Sequence, residues 1–447
     1  MADLSLPFQG LPAVWVDLFS IALAVIVAML AWTTVLFVRG RWSRAHPPDA
    51  AKDVADDFTW VFLVPALNEE VTIADSVQRL LEIELEKRLI VVIDDGSDDR
   101  TPAILARLEH PDLRVIRRRP PAARRGKAAA LNHGYRALDD LLDDGDRDRA
   151  IVVVVDADGR LSPSAPRYAA SHFAADPTVG GVQSLVRIYN RDRLLTWMQD
   201  VEFSIFGCLF QAGRNGWGTA GMGGNGQFNR LRALDDVADH DGPWRDRLTE
   251  DQDLGLRLIA AGWAGRQDLR ARVDQQGLPG LRRLFRQRTR WSQGNLQAIG
   301  LMGAIRGAPI SPIARLELLA YLLMPLWQTL VGATLLAAIG LAIAGTTSFW
   351  TDGPWWQLAF FYLLGFGGTM LGCVAARAGG GPLSYLRGIL IAQVYAFYSW
   401  ILWPVLIRST LRQLTERREW AKTERERLPA PGSRRARGLS PRLTDEV

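Results

Sequence analysis

Charge-free apolar stretches and charged ones divide the chain sharply. Residues 14–38 hold a single charged side chain, Asp17, over about 25 positions, enough to span a bilayer. Arg39, Arg41 and Arg44 follow this stretch and no positive charge precedes it. That order disfavours a cleaved signal peptide and predicts an uncleaved anchor, with the N-terminus outside and residue 39 onward in the cytoplasm. From residue 60 the pattern changes to short β-branched runs alternating with helical periods. Strands are predicted at 60–65, 89–95, 113–116 and 151–155, and helices at 69–81, 101–108 and 127–142. The run 151–155 (IVVVV) is the kind buried on both faces of a parallel sheet. Alternation of this sort predicts a parallel, doubly wound α/β sheet.

The pattern changes again toward the C-terminus. A helix is predicted to open at Thr249-Glu250-Asp251, with Leu254, Leu258 and Ala261 as its apolar stripe and Gly262 as its stop. Residues 281–301 form a second helix that brings Gln287, Arg290, Trp291 and Gly294 to one face. Its Arg282, Arg283, Arg286 and Arg288 suit lipid headgroups, as in an interfacial helix. Three apolar segments follow, at 316–344, 356–376 and 386–407, each long enough to cross a membrane. The 345–356 loop has no Lys or Arg and carries tryptophans, which places it outside; Arg377 and Arg387 place the next loop inside. Three crossings would then export a tail rich in arginine from Arg408 to Arg442, against the positive-inside rule. Either 386–407 is re-entrant or interfacial, or another segment does not cross. The expected organisation is an anchor at 1–40, a cytoplasmic domain at 41–280, interfacial helices at 281–310, membrane helices at 311–410 and a basic, disordered tail at 411–447.

Composition narrows the chemistry. Fifty-three basic against 48 acidic residues give a formal charge of +5, too mild to argue for nucleic acid. Two cysteines, Cys208 and Cys373, lie far apart, which excludes a disulfide framework and a cysteine zinc site. The five histidines show no ligand spacing.

Polar residues gather instead where strands end. Asn68 and Glu69 follow the first strand, Asp94 and Asp95 end the second, and Asp156 and Asp158 end the fourth. Ligands of open α/β sheets bind at the carboxyl ends of the strands. Two carboxylates there suit a hard divalent cation, Mg2+ or Mn2+, of the kind that also holds a diphosphate. Lys127 precedes an apolar helix, where its amine could reach a phosphate. Glycines at 213–226 let backbone approach a ligand, so residues 223–227, Gly224 and Gln227 among them, could line a sugar or acceptor pocket; a plain flexible loop is the alternative. Glu250 and Asp251 suit either an ordinary helix N-terminus or a catalytic carboxylate.

In order, the chain carries PALNEE (65–70), IDDGSDD (93–99), GKAAALN (126–132), DADG (156–159), GGNGQ (223–227), TEDQDLGLR (249–257) and QRTRW (287–291). This ordered set resembles the membrane-integrated branch of glycosyltransferase family 2. The branch includes cellulose, hyaluronan, chitin-oligosaccharide and poly-N-acetylglucosamine synthases, and glycolipid glucosyltransferases such as bacterial β-monoglucosyldiacylglycerol synthase. The resemblance implies a Rossmann-like GT-A domain between an N-terminal transmembrane helix and a C-terminal helical membrane region. It implies that Asp94 or Asp95 contacts the nucleotide base and that Asp156 and Asp158 hold the metal and the sugar nucleotide. Lys127 would lie near the diphosphate and Asp251 would be the general base. Arg290 and Trp291 would serve the diphosphate and the acceptor sugar, with Asn68, Glu69, Gly224, Gln227, Glu250 and Gln287 also in the substrate site. Arg288 stands where hyaluronan synthases commonly have Gln, and GGNGQ stands where cellulose synthases have a Phe- and Cys-containing motif.

The function implied is inverting transfer from UDP-glucose or UDP-N-acetylglucosamine to an acceptor hydroxyl at the cytoplasmic face of the plasma (inner) membrane. The product would be a β-linked polysaccharide or a glycolipid. A non-catalytic sugar-nucleotide sensor or a transporter is the alternative, and it leaves Asp251 and the Gln287/Arg290/Trp291 face without purpose.

Overall fold

The computed structural model describes residues 13–345 and 355–415. Its centre is an eight-stranded sheet. The strands are β1 (Thr59–Ala66), β2 (Arg88–Asp94), β3 (Leu113–Arg117), β4 (Ala150–Val154), β5 (Arg160–Leu161), β6 (Val179–Ile188), β7 (Gln227–Arg230) and β8 (Ala264–Gln275). They are ordered β3-β2-β1-β4-β7-β6-β8-β5. The first four are parallel neighbours, with Ala66 beside Asp94 and Leu63 beside Val154. Alternate residues of β1, β2 and β4 point to opposite faces. Trp60, Phe62, Val64, Val92 and Val153 pack on one side with the helices Ile73–Leu81 and Ala165–Ala175. Val61, Leu63, Ile93 and Val154 pack on the other with Lys127–Leu141 and Glu250–Ala260, through Leu131, Leu138, Leu254 and Leu258.

The sheet is mixed, not wholly parallel as predicted. Gln227–Arg230, the end of the glycine-rich stretch, forms β7 and runs antiparallel to both β4 and β6. The glycines before it supply the turn that lets a short strand enter the sheet in that direction: Gly224 and Gly226 both have positive φ. Strand order reverses between β1 and β4, so the carboxyl ends of β1, β2 and β4 open a crevice there.

Three apolar helices among the described residues are long enough to cross a bilayer: Ala13–Ala45, Met324–Ile343 and Gly381–Leu414, the last interrupted near Leu402 ahead of Pro404. Trp355–Ala375 is a further apolar helix. The arginine end of the first helix docks on the body built around the sheet. Arg39 Nε donates to the Gly213 carbonyl at 3.1 Å, and its guanidinium lies 3.8 Å over the Trp217 ring. The 386–407 segment is tied to the same body at both ends. Arg41 donates to the Tyr385 hydroxyl at 2.9 Å, Ser409 and Ser292 share a hydrogen bond of 2.7 Å, and Arg412 donates to Gln293 at 3.2 Å. Most of the loop predicted outside (346–354) and the basic tail beyond 415 lie outside the described residues.

Candidate active site

A cavity of about 440 Å³ opens over the carboxyl ends of β1, β2 and β4. Of the predicted site residues, Glu69, Asp95, Lys127, Asp156, Asp158, Glu250, Asp251, Gln287, Arg290 and Trp291 line it. They come from six separate stretches of chain, brought together by strand order. Asn68, Asp94, Gly224 and Gln227 are not among the lining residues; their contacts shape the loops that are.

The two aspartates at the end of β2, Asp94 within it and Asp95 just beyond, divide by role. Asp94 is 1% exposed and turns inward, its Oδ1 accepting the Ser97 N–H at 2.9 Å, as a capping carboxylate does. Asp95 faces the cavity and is paired with Arg118. Burial pushes the Asp95 carboxyl up, against the opposing pull of the Arg124 backbone N–H and the Arg118 guanidinium. Asn68 ties the β1 loop to the β2 loop: its backbone N–H donates to Ser97 Oγ at 2.9 Å and its Nδ2 to Asp98 at 2.7 Å.

Beyond β4, Asp156 Oδ1 lies 2.6 Å from Lys127 Nζ, which stands 3.6 Å from Glu250. Burial alone would lower the lysine's pKa. The carboxylates of Asp156, Glu250 and Asp251 outweigh it and hold the ammonium above its ordinary range. Asp158 is 5% exposed, and its Oδ2 accepts the Gln276 N–H at 3.2 Å. Among the described residues no three His, Cys, Asp or Glu side chains form a metal cage. Two carboxylates one residue apart fit instead a hard cation that completes its shell with diphosphate and water.

Asp251 opens the Glu250–Ala260 helix in the cavity wall. Burial, then Glu250 beside it, pushes its pKa up to about 6, although Lys127 and Arg290 pull the other way. Asp253, two residues on, serves the fold: Arg257 donates to it at 2.7 Å. The glycine loop passes directly beneath the acidic cluster. Gly224 has φ +80°, and a Cβ there would meet Asp251 Oδ2 at 2.8 Å and Lys127 Nζ at 3.3 Å. Gln227 is fully buried; its Oε1 accepts the Gly224 N–H at 3.3 Å and its Nε2 donates to Asn229 at 2.8 Å, so it shapes the loop from behind.

The Leu281–Ala298 helix closes the far side. Gly294 lets it approach closely, since a Cβ there would fall 2.4 Å from Thr249 Oγ1. Arg290 Nη1 donates to the Leu248 carbonyl at 2.8 Å, which joins the helix to the turn before Asp251.

Several site residues escaped the sequence. Gln183 of β6 grips the glycine loop, its Oε1 accepting the Gly223 N–H and its Nε2 donating to the Asn225 carbonyl, both at 2.8 Å. Gly223 and Asn225, within the 223–227 stretch expected at the pocket, do line it, and Asn225 Oδ1 accepts the Asp156 N–H at 3.1 Å. Glu202, Phe203, Phe206, Met222 and Tyr321 complete the wall. Gln183 is a buried amide in the middle of an apolar strand, and that mismatch was its one local signal.

A family model described as "Glycosyltransferase like family 2" matches residues 59–294, which covers the sheet and the helix bearing Trp291. The chain is 31% identical over 335 residues to a β-monoglucosyldiacylglycerol synthase of Synechocystis sp., 67% of each chain. It is 29% identical over 262 residues to a poly-β-1,6-N-acetyl-D-glucosamine synthase of Staphylococcus aureus, 58% of this chain and 59% of that one. Among solved structures it is similar to a mannosyltransferase from Pyrobaculum calidifontis in complex with GDP-Man and Mn2+. The TM-score is 0.58 at 21% identity, over 90% of this chain and all of that one. The sheet, the crevice at its switch point and the ordered motifs lining it are those of a GT-A glycosyltransferase, and the chain belongs to glycosyltransferase family 2.

Proposed function

We propose that this enzyme transfers a sugar from a nucleotide-diphospho-sugar, UDP-glucose or UDP-N-acetylglucosamine, to an acceptor hydroxyl with inversion, at the cytoplasmic face of the plasma membrane. The observation that carries the proposal is the convergence of Lys127, Asp156, Asp251, Arg290 and Trp291 on one cavity. Asp95 faces the base end of the donor, and Glu69 lies beside it. Asp156 and Asp158 would hold Mg2+ or Mn2+, which supplies charge neutralisation of the diphosphate. Lys127 and Arg290 add fixed positive charge on the same group. Asp251 takes the proton of the acceptor hydroxyl as its oxygen bonds to the anomeric carbon. The carbon–oxygen bond to the diphosphate breaks on the opposite side and the electron pair leaves with it, so an α-linked donor yields a β-linked product. A carboxyl with a pKa of about 6 is a stronger base than an ordinary aspartate and is still ionised at neutral pH. Gln287 and Glu250 support the walls around these groups.

For the acceptor, a membrane lipid is favoured. Apolar Val186, Phe203, Phe206 and Met222 also line the cavity, and Phe206 is 38% exposed. The Synechocystis relative is named for a glycolipid product. A growing polysaccharide is the second reading, on the strength of the staphylococcal relative's name. The contacts at both ends of residues 381–414 support a re-entrant or interfacial segment. With Ala13–Ala45, Met324–Ile343 and Trp355–Ala375 as the crossings, that leaves Arg408 and Arg412 on the cytoplasmic side, as the positive-inside rule requires.

The test is incubation of the purified full-length protein, in lipid nanodiscs with Mg2+ or Mn2+, with radiolabelled UDP-glucose and UDP-N-acetylglucosamine. Label in the chloroform–methanol extract supports the lipid acceptor, and label in ethanol-insoluble material supports the polymer. Absence of UDP release from a full panel of nucleotide sugars would overturn the enzymatic proposal in favour of a sensor or transporter.

A further inference from the structure

Glu202 lines the cavity yet belongs to none of the polar clusters at the strand ends. It lies on the helix Leu194–Ile205, and both of its carboxylate oxygens are taken by one guanidinium. Arg288 Nε donates to Oε1 at 3.1 Å and Nη2 to Oε2 at 2.6 Å. Oε2 also accepts the Tyr398 hydroxyl at 2.8 Å, from the helix Gly381–Ile401 in the last apolar segment. Arg288 and Tyr398 are 5% and 4% exposed. A forked, two-point pair of this kind fixes orientation as well as charge, which a lysine in the same place could not do.

The guanidinium so fixed lies 4.2 Å over the Trp291 ring. Phe203, next to Glu202, meets the same ring edge-on at 5.9 Å and 73°. A third Arg288 nitrogen, Nη1, donates to Gln287 Oε1 at 2.7 Å. The indole is therefore held by a stacked cation and an aromatic edge, while it lines the cavity that holds Asp251. A flat ring that receives a substrate must keep its plane, because a small misplacement of the reacting hydroxyl is costly.

We propose that Glu202, Arg288 and Tyr398 form a positioning unit that sets the plane of Trp291 for the acceptor and couples it to the last apolar segment. This rests on the proposed role of Trp291 as acceptor platform. None of the three takes part in the chemistry or holds the donor. Substitution of Arg288 or Tyr398, which do not line the cavity, therefore raises the acceptor KM while leaving slow, acceptor-free release of UDP by water unchanged.

The experiment uses the full-length protein in nanodiscs with UDP-glucose as donor and dioleoylglycerol as acceptor probe. Tyr398→Phe removes one hydroxyl and Arg288→Lys keeps the charge without the fork. We expect acceptor KM to rise about tenfold in Arg288→Lys and by a smaller factor in Tyr398→Phe, with donor KM and UDP release by water within twofold of wild type. Glu202→Gln, which can still accept from Arg288, should be milder than Glu202→Ala. Trp291→Ala should show the same acceptor defect, and adding Arg288→Lys to it should change acceptor KM no further. An unchanged acceptor KM in Arg288→Lys, an equal rise in donor KM with a fall in water-dependent UDP release, or full additivity with Trp291→Ala would overturn the unit while leaving Trp291's role intact. An unchanged acceptor KM in Trp291→Ala would overturn both.

Discussion

Gly224→Ala tests whether the glycine loop fits as closely under Asp251, the proposed base, as the geometry requires. The residue has φ +80°, so alanine there pays the left-handed penalty of about 1–2 kcal/mol. The new methyl would sit 2.8 Å from Asp251 Oδ2, well inside the ~3.5 Å at which nonbonded atoms rest. Either the loop or the carboxylate must therefore move by several tenths of an ångström. Displacement of a reacting group on the scale of 1 Å costs about 100-fold, so a fall in kcat of roughly 10- to 100-fold is expected. Gly218→Ala is the control: its φ is +70° and its Cβ would meet Ala264 Cβ at 3.0 Å, with none of the cavity's carboxylates among its nearest neighbours. The two variants should lose similar thermal stability, measured by melting in detergent, while kcat falls only in Gly224→Ala. Equal kcat in the two would refute the close fit between the loop and Asp251.

Further outcomes follow from the charges in the cavity. A base pushed up to about 6 is protonated below that pH and active above it, so kcat/KM should rise with pH along an acid limb near 6. Lys127→Met removes a neighbouring cation that holds this pKa down. The limb should shift to higher pH, and a limb that stays in place or moves down would contradict the pairing. Asp158→Ala should weaken UDP binding in the presence of Mn2+ and not in its absence; calorimetry giving equal affinity with and without the metal in both proteins would remove Asp158 from the metal site.

Much of this architecture was legible because it is local. Runs such as 151–155 are buried on both faces and announce central parallel strands, and polar residues placed immediately after them reach one edge of the sheet. The alternating pattern therefore located β1 to β4 and most of the cavity. β7 escaped because its sequence sits among glycines and its direction is set by the strands on either side. Asp94 and Asp95 are adjacent and chemically identical; only the turn in which Asp94 accepts the Ser97 N–H distinguishes the buried one from the one facing the cavity. Gln227 belongs to a motif that reads as a pocket, yet β-strand alternation sends its side chain inward, where it braces Gly224. Gln183, Glu202 and Tyr398 have partners 40 to 196 residues away. No periodicity or spacing records such contacts, because they exist only once the sheet and the membrane helices have packed.

The central claim is that Asp251 accepts the acceptor's proton while other groups hold the donor. The most direct test pairs two measurements on Asp251→Asn: turnover of radiolabelled UDP-sugar, and UDP binding with Mn2+. Loss of the base should cut turnover by about 10²–10⁴-fold with UDP affinity retained, since asparagine preserves shape but accepts no proton. Turnover within a few-fold of wild type, or loss of UDP binding alongside activity, would contradict it.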